Sequence, residues 1–329
     1  MRQGGAENER LVELLGRLRD GTCNSNDYNA LAGRILRRQN DAEVLIVTNN
    51  ASRDAVNWKA AQAFAIHAGV ELHWYHAMDA HKKAPVTDAS LIEKSEQQHS
   101  GQTKHRLRKT PLAIGMPVAI NQNFDVAAGV VNGSYGTLRK IRYFRNNAGL
   151  RVVKSCVAEI PGAEVVEIPH LPKHNFPVLP DTTELRFEHA GSHKRCTIQR
   201  KQVPIESGFA VTVHKAQGQT MTRVVVNLEG CSGTEPPYVM VSRATSMEGL
   251  FVLRDLDFKQ ISKRRSEDLR TEFSRLACLK WLTVMKYGER DEIERAKQVV
   301  EHPSSHKPSK RKQDDQRSAL AEKKVKRKK

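Results

Sequence analysis

Two short segments carry the side chains best suited to chemistry. The first, Thr212-Val213-His214-Lys215-Ala216-Gln217-Gly218-Gln219-Thr220, gathers hydroxyl, imidazole, ammonium and amide groups around a glycine. It lies between an apolar run at Phe209 to Val213 and a predicted strand at Arg223 to Leu228. A polar loop at a strand end suits phosphate contact, and its glycine lets a backbone approach closely. Taken alone, the same loop also reads as an ordinary basic loop. The second segment is Tyr238-Val239-Met240-Val241-Ser242-Arg243-Ala244-Thr245-Ser246. Its centre is apolar, so Arg243 is expected to emerge from a buried helix end. A rigidly seated guanidinium stabilises charge on a transferring γ-phosphate, although a lone arginine also serves as a structural ion-pair partner.

These side chains need a scaffold, and the hydrophobic pattern outlines one. Leu11, Leu14, Leu15 and Leu18 share a helical face with Gly21 as the stop, and a second helix is expected after Ser25. Val44-Leu45-Ile46-Val47 reads as a buried parallel strand, followed by Thr48-Asn49-Asn50 and an Ala-rich helix. Strand, polar turn and helix make one unit of an α/β sheet. From about Pro111 short β-like runs take over, at Gly136 to Tyr143, Arg151 to Ile160 and Ala163 to Ile168, with a turn at Val130-Val131-Asn132-Gly133. A small antiparallel barrel inserted in an α/β domain fits this texture. After Pro204 the α/β pattern returns, and Ser266-Glu267-Asp268 opens a last helix with Leu269, Phe273, Leu276 and Leu279 as its stripe.

The 329 residues carry 54 Lys and Arg against 37 Asp and Glu, a net charge of +17, so polyanions are the first partners to consider. Residues 303 to 329 alone contribute +8 through Ser309-Lys310-Arg311-Lys312 and Lys323-Lys324-Val325-Lys326-Arg327-Lys328-Lys329. Such clusters read as nuclear import signals, as nonspecific nucleic-acid contacts or as a plain solvated tail, and disorder is expected there. The sequence has neither an apolar run long enough to span a membrane nor the apolar core of a signal peptide. Five scattered cysteines without a C-x-x-C pair read as reduced thiols, pointing to the nucleus or, as the alternative, the cytoplasm. His189, His193 and Cys196, with Cys156, have spacing conceivable for zinc, but no compact ligand pairs are visible and no metal site is expected. Trp58, Trp74 and Trp281 are read as packing residues rather than base-stacking platforms.

The two chemical segments, with Gly249-Leu250-Phe251-Val252-Leu253 after them, resemble the last two motifs of Pif-type, RecD-related DNA helicases. Leu45 to Asn57 resembles the opening of that family's second RecA-like domain. Leu112 to Val118, Asn121, Asn123, Asp125 and Val131 to Gly136 resemble the entry to its inserted Src-homology-like barrel. Met1-Arg2-Gln3 and the helix ending at Gly21 look like the tail of the third helicase motif. The resemblance implies an α/β fold: a second RecA-like domain at 41–115 and 204–287 and a small antiparallel β-barrel inserted at 116–203. A helical remnant of the first RecA-like domain would occupy 1–40, and a charged, largely disordered tail 288–329. It further implies that Thr212, His214 and Lys215 contact DNA, that Gln217, Gly218 and Arg243 face nucleotide, and that Arg243 is the catalytic arginine finger. One departure is Asn49, where related chains commonly carry Arg.

ATP and Mg²⁺ are the cofactors the resemblance implies, and single-stranded or forked DNA the partner. Yet no Gly-Lys dipeptide occurs, hence no Gly-x-x-x-x-Gly-Lys-Ser/Thr phosphate loop, and no apolar strand ends in Asp-Glu. The family places both in the first RecA-like domain, so Met1 reads as an internal methionine of a longer ancestor, and a separate chain is one candidate source of that domain. The expected function is the C-terminal part of a 5′-to-3′ helicase that is not self-sufficient as an ATPase. The alternative is a noncatalytic nucleic-acid-binding or adaptor protein derived from one.

Overall fold

The computed structural model describes residues 8–36, 44–164, 168–188, 195–231 and 233–294. In chain order the elements are α1 (Glu9–Asp20), α2 (Ser25–Ala32), β1 (Val44–Val47), α3 (Asn50–Ala68), β2 (His73–His76), β3 (Met78–His81), β4 (Ala84–Pro85), α4 (Ala89–Gln97), β5 (Lys109–Leu112), β6 (Pro117–Ile120), β7 (Tyr135–Arg145), β8 (Arg151–Glu159), β9 (Asn175–Val178) and β10 (Asp181–Glu188). They continue with β11 (Arg195–Gln202), β12 (Ile205–Ser207), β13 (Ala210–Thr212), α5 (Val213–Ala216), β14 (Val224–Val226), α6 (Glu235–Val241), β15 (Leu250–Val252), α7 (Phe258–Ile261) and α8 (Glu267–Tyr287). The chain divides into one unit, Met1–Arg265, and a second, Ser266–Lys329.

The first unit is mixed α/β. Its parallel sheet has the order β13-β1-β14-β15, with Val47 opposite Thr212 and Ile46 opposite Val226. Leu11, Leu14, Leu15 and Leu18 of α1 are all buried and share one core with Ile46, Val211, Val224, Met240 and Leu250. Removing a leucine side chain from water is worth about 1.5–3 kcal/mol, so this stripe fixes α1 firmly. The helix stops at Gly21, whose φ of 68° suits glycine, and whose missing Cβ leaves room for the Lys263 carbonyl. α2 opens on a reciprocal cap between Asn24 and Asp27. Beyond it, Val252 donates to the Arg34 carbonyl and Leu36 to that of Val252, lining the free side of β15. The other edge, β13, is held by α3: the Asn57 amide accepts from the Ala210 N–H at 2.8 Å and donates to the Ala210 carbonyl at 3.3 Å.

Antiparallel strands form the rest of this unit, in sheets ordered β12-β6-β7-β8-β9, β10-β11-β3-β4 and β2-β5. Pairing therefore reaches back before Pro111, because β3 lies beside β11 and β2 beside β5. The run at 73–81, with three histidines and no alternation of apolar and polar residues, hides this from periodicity. The run expected as a strand at Ala163 to Ile168 differs as well. Pro161-Gly162 turn the chain after β8, and Glu164 donates to the Ala128 carbonyl instead of joining a ladder. Residues 165–167 lie outside the described residues. Trp58 and Trp74 pack edge-on at 5.6 Å, as packing residues do.

In the second unit α8 opens on Ser266, which accepts from Leu269 N–H. No residue of this helix is buried, including Leu276, Leu279 and Trp281 of its apolar surface. The basic clusters after 303 lie outside the described residues.

Candidate nucleic-acid interface

Ligands of open parallel sheets bind beyond the carboxyl ends of the strands. There, β13 delivers Thr212 directly into α5, a single helical turn, and the chain then swings out through Gln217 and Gly218. Gly218 has a φ of 92°, a conformation that strains any residue with a Cβ. His214, Gln217, Gly218 and Thr220 face solvent, whereas Thr212 and Ala216 are buried.

Two cations pin this loop from opposite sides. Met221 N–H donates to the Arg243 carbonyl and Thr245 N–H to that of Met221, so the two sequence segments are joined by their backbones. The Arg243 guanidinium, 6% exposed, then reaches across, with Nη1 donating to the Gln219 carbonyl at 3.1 Å. Its Nε donates to the Val239 carbonyl at 2.8 Å and Nη2 to Ser242 Oγ at 2.7 Å. A guanidinium with five donors in a fixed fork suits such a multi-point clamp.

On the other side, Lys215 Nζ donates to Asn121 Oδ1 at 2.7 Å and to Glu206 Oε1 at 2.8 Å. β12 and β6 bring these partners together, since Ala119 lies opposite Glu206 and Asn121 follows two residues on. The second Glu206 oxygen meets Arg53 Nη2 at 2.9 Å, with His105 Nδ1 at 3.7 Å. Arg53, fully buried on α3, also pairs with Asp54, which accepts from the Ser100 N–H at 2.7 Å. Burial alone would raise the Glu206 carboxyl. His105, Arg53 and Lys215 overcome that and hold it at about 2. Burial also pulls the Lys215 ammonium below its usual value, and Glu206 restores it only in part.

The predicted residues thus divide. Thr212, His214, Lys215, Gln217 and Gly218 share one loop, and Arg243 joins it through Gln219. The Lys215 charge is turned inward, and Asn49 is occupied as the α3 cap, accepting from Ser52 N–H at 2.8 Å. Sequence reasoning missed Arg53 and Glu206. Their signals were present: Arg53 continues the four-residue spacing of buried Asn57, Ala61 and Ala65, and Glu206 interrupts a buried strand. Among the described residues no group of three or more His, Cys, Asp or Glu is placed to hold a metal ion. His189 and His193 lie outside those residues. No described helix is long and apolar enough to cross a membrane.

No family model matches the chain. It is 28% identical over 191 residues to the ATP-dependent DNA helicase PIF1 of Xenopus laevis, covering 58% of this chain and 25% of that protein. The fold superposes on the crystal structure of Pif1 helicase from Candida albicans with a TM-score of 0.61 at 18% identity, over 84% of this chain and 59% of that one. Over part of its length, the chain is related to the Pif1-type DNA helicases. A Bacteroides Pif1 structure in complex with ADP-AlF3 and ssDNA aligns with a TM-score of 0.57 at 16% identity, over 84% of this chain and 55% of that one. The chain spans about a quarter of the length of the curated Pif1 relative and just over half of these solved Pif1 chains. Set against the ATP and Mg²⁺ that Pif1-type helicases imply, the donors here fit only in part. Gln217 and Gly218 present an amide and a backbone to solvent, the Arg243 guanidinium is bonded to the Val239 and Gln219 carbonyls and Ser242, and no carboxylate belongs to this set for Mg²⁺.

Proposed function

We propose that this chain supplies the strand-contacting and arginine-bearing half of a Pif-type helicase motor. The observation that carries this reading is the doubly pinned loop at the carboxyl ends of the parallel strands, with His214, Gln217 and Gly218 presented outward and Arg243 seated beneath. In this reading the parallel sheet is the second RecA-like domain and the antiparallel sheets contain its inserted barrel. Single-stranded or forked DNA runs past Thr212, His214 and the Lys215 turn. Gln217 and Gly218 stand between strand and nucleotide. Arg243 is the arginine finger, and to reach a phosphate its guanidinium exchanges the Val239 and Gln219 carbonyls for phosphate oxygens. ATP supplies the driving reaction when bound; this chain's residues orient the strand and bring one positive charge.

The 329 residues contain no Gly-Lys dipeptide, so the lysine for the β- and γ-phosphates comes from elsewhere, a separate chain being one source. The same observation favours a second reading, a nucleic-acid-binding or adaptor protein that uses the fold without the motor. The basic clusters after 303 direct the chain to the nucleus in both.

ATP hydrolysis by the purified chain separates self-sufficiency from dependence. No turnover is expected with or without single-stranded DNA, and DNA-stimulated turnover of about 1 s⁻¹ or faster, the ordinary enzyme range, overturns the reading. Turnover that appears only on adding a Pif-type first domain supports the motor over the adaptor.

A further inference from the structure

Resting on the reading of the Thr212 to Thr220 loop as the strand contact, we propose that Glu206 and Arg53 are positioning residues that commit the Lys215 charge inward. The strand then sees the loop's shape and His214, but not a free lysine.

The groups facing the Lys215 ammonium are countable. Glu206 and Asn121 touch it, Arg53 and His105 meet the far oxygen of Glu206, and Asp54 pairs with Arg53. Arg53 and Lys215 bring two positive charges, Asp54 and Glu206 two negative ones. Apart from His105, the cluster is therefore neutral as a whole, and its members come from α3, the loop before β5, the loop after β6, β12 and α5. A phosphodiester carries the same single negative charge as Glu206 but comes from water, whereas Glu206 is already desolvated and fixed by Arg53. To win Lys215, a phosphate would have to leave the buried carboxylate with one cation fewer, a costly exchange. The Lys215 side chain, 19% exposed, keeps its stem along the loop, so the ammonium acts as a tie between the Asn121 loop and the turn that displays His214. With Arg243 gripping the Gln219 carbonyl, the displayed segment is fixed at both ends before any strand arrives. Such pre-ordering lowers the entropy lost on binding. Neutralising Glu206 frees the lysine, whose four-carbon stem is long and flexible enough to turn outward.

The test measures binding of a fluorescein-labelled oligothymidine to the full chain across a salt series. The basic tail is common to all variants and cancels in the differences. Single-strand binding loses about 0.7 in log–log salt slope per phosphate contact removed. Lys215→Met alone is expected to leave the slope unchanged. Glu206→Gln is expected to steepen it by about 0.7 and to tighten binding roughly fivefold at low salt, as one more phosphate contact would. Lys215→Met placed on Glu206→Gln should abolish that gain, and Glu206→Asp should behave like the wild type. A slope that falls by about 0.7 in Lys215→Met alone overturns the proposal. A second readout does not depend on DNA: in ¹⁵N-lysine NMR the Lys215 ammonium should be slow to exchange, and the signal should vanish in Glu206→Gln but persist in Asn121→Ala, where the carboxylate still holds it. A fast-exchanging ammonium in the wild type also overturns the proposal. If the wild-type chain shows no salt-dependent binding, the strand reading itself fails, and the ammonium signal then decides the tie alone.

Discussion

Two arginines of this chain, Arg53 and Arg200, are both fully buried, yet their networks end in different places. Arg200 on β11 grips Asp79 of β3 with two bonds of 2.7 Å, donates to the Arg106 carbonyl at 2.9 Å and also reaches Ser95 of α4. Arg108 adds a 2.6 Å contact to the same carboxylate, and Arg106 turns to Asp181. Its charged partners lie within the antiparallel part, so this centre stitches β3, β11 and α4 together; Arg106 also donates to Gln122 Oε1 and the His105 carbonyl, both at 3.4 Å, but no member of the centre sits on the displayed loop. Arg53 is one bond from Glu206, which is one bond from Lys215, which sits on an exposed loop. Equal burial thus serves two ends. A closed network adds only to stability, whereas one that ends on a displayed turn also sets what that turn shows to a ligand.

The largest effect should come from breaking the closed centre. Asp79→Asn leaves Arg200 buried without a counter-charge and Arg108 with Glu96 alone, 3.5 Å away, and loss of about 3–5 kcal/mol of stability is expected in urea unfolding. Oligothymidine affinity of the folded fraction should not change; a parallel loss of affinity would show that the two centres are not separate.

Acid should single out the open centre. Glu206 titrates at about 2 instead of its usual 4.5, so its contribution is fully present above pH 4.5 and disappears as pH falls toward 2. The gap corresponds to ~3 kcal/mol, the order of magnitude for a buried carboxylate so paired. Unfolding followed by circular dichroism through this window should show the loss in the wild type and a shallower decline in Glu206→Gln.

Arg243→Ala removes the clamp on the Gln219 and Val239 carbonyls and is expected to cost ~1.5–3 kcal/mol, the range for hydrogen bonds to charged groups. Hydrogen exchange should quicken at Met221 and Thr245, whose bonds join the two segments, and oligothymidine affinity should fall modestly, because the loosened loop must be re-ordered on binding, with the salt slope unchanged. The smallest effect belongs to His214→Ala: about 1 kcal/mol of oligothymidine affinity, one hydrogen bond's worth, with no change in melting temperature.

How much of this was legible in the sequence depends on the range over which each feature is encoded. Leu11 to Leu18, the run Val44 to Val47 and the turn at Gly133 are written in local spacing, and each appears in the fold where that spacing places it. The meeting of Arg243 with the Thr212 to Thr220 loop is written in no local pattern; only the resemblance, which has Gln217, Gly218 and Arg243 face one nucleotide, pointed toward it. The pairing of β3 with β11 was not, because no local pattern encodes a partner so far along the chain. Glu206 was passed over for a related reason. A carboxylate in a strand usually marks a solvent face, and only the distant Arg53 and Lys215 reveal that this one is buried. Lys215 was read as a strand contact from the resemblance, and the sequence, which gives residue type without direction, did not show that its ammonium bonds to Glu206 and Asn121.

The bond between Asn57 and Ala210 has a meaning for the chain in a crowded solution. An edge strand offers its unpaired N–H and carbonyl groups to any other strand, the usual start of sheet-to-sheet aggregation. Here the carboxamide of Asn57 imitates one peptide unit of a neighbouring strand and satisfies both groups of Ala210. Across the sheet, Arg34 and Leu36 do the same for Val252 with real backbone. The parallel sheet therefore ends where it should on both sides, and Asn57→Ala should reveal itself less in melting than in turbidity, as chains begin to find one another's open edges.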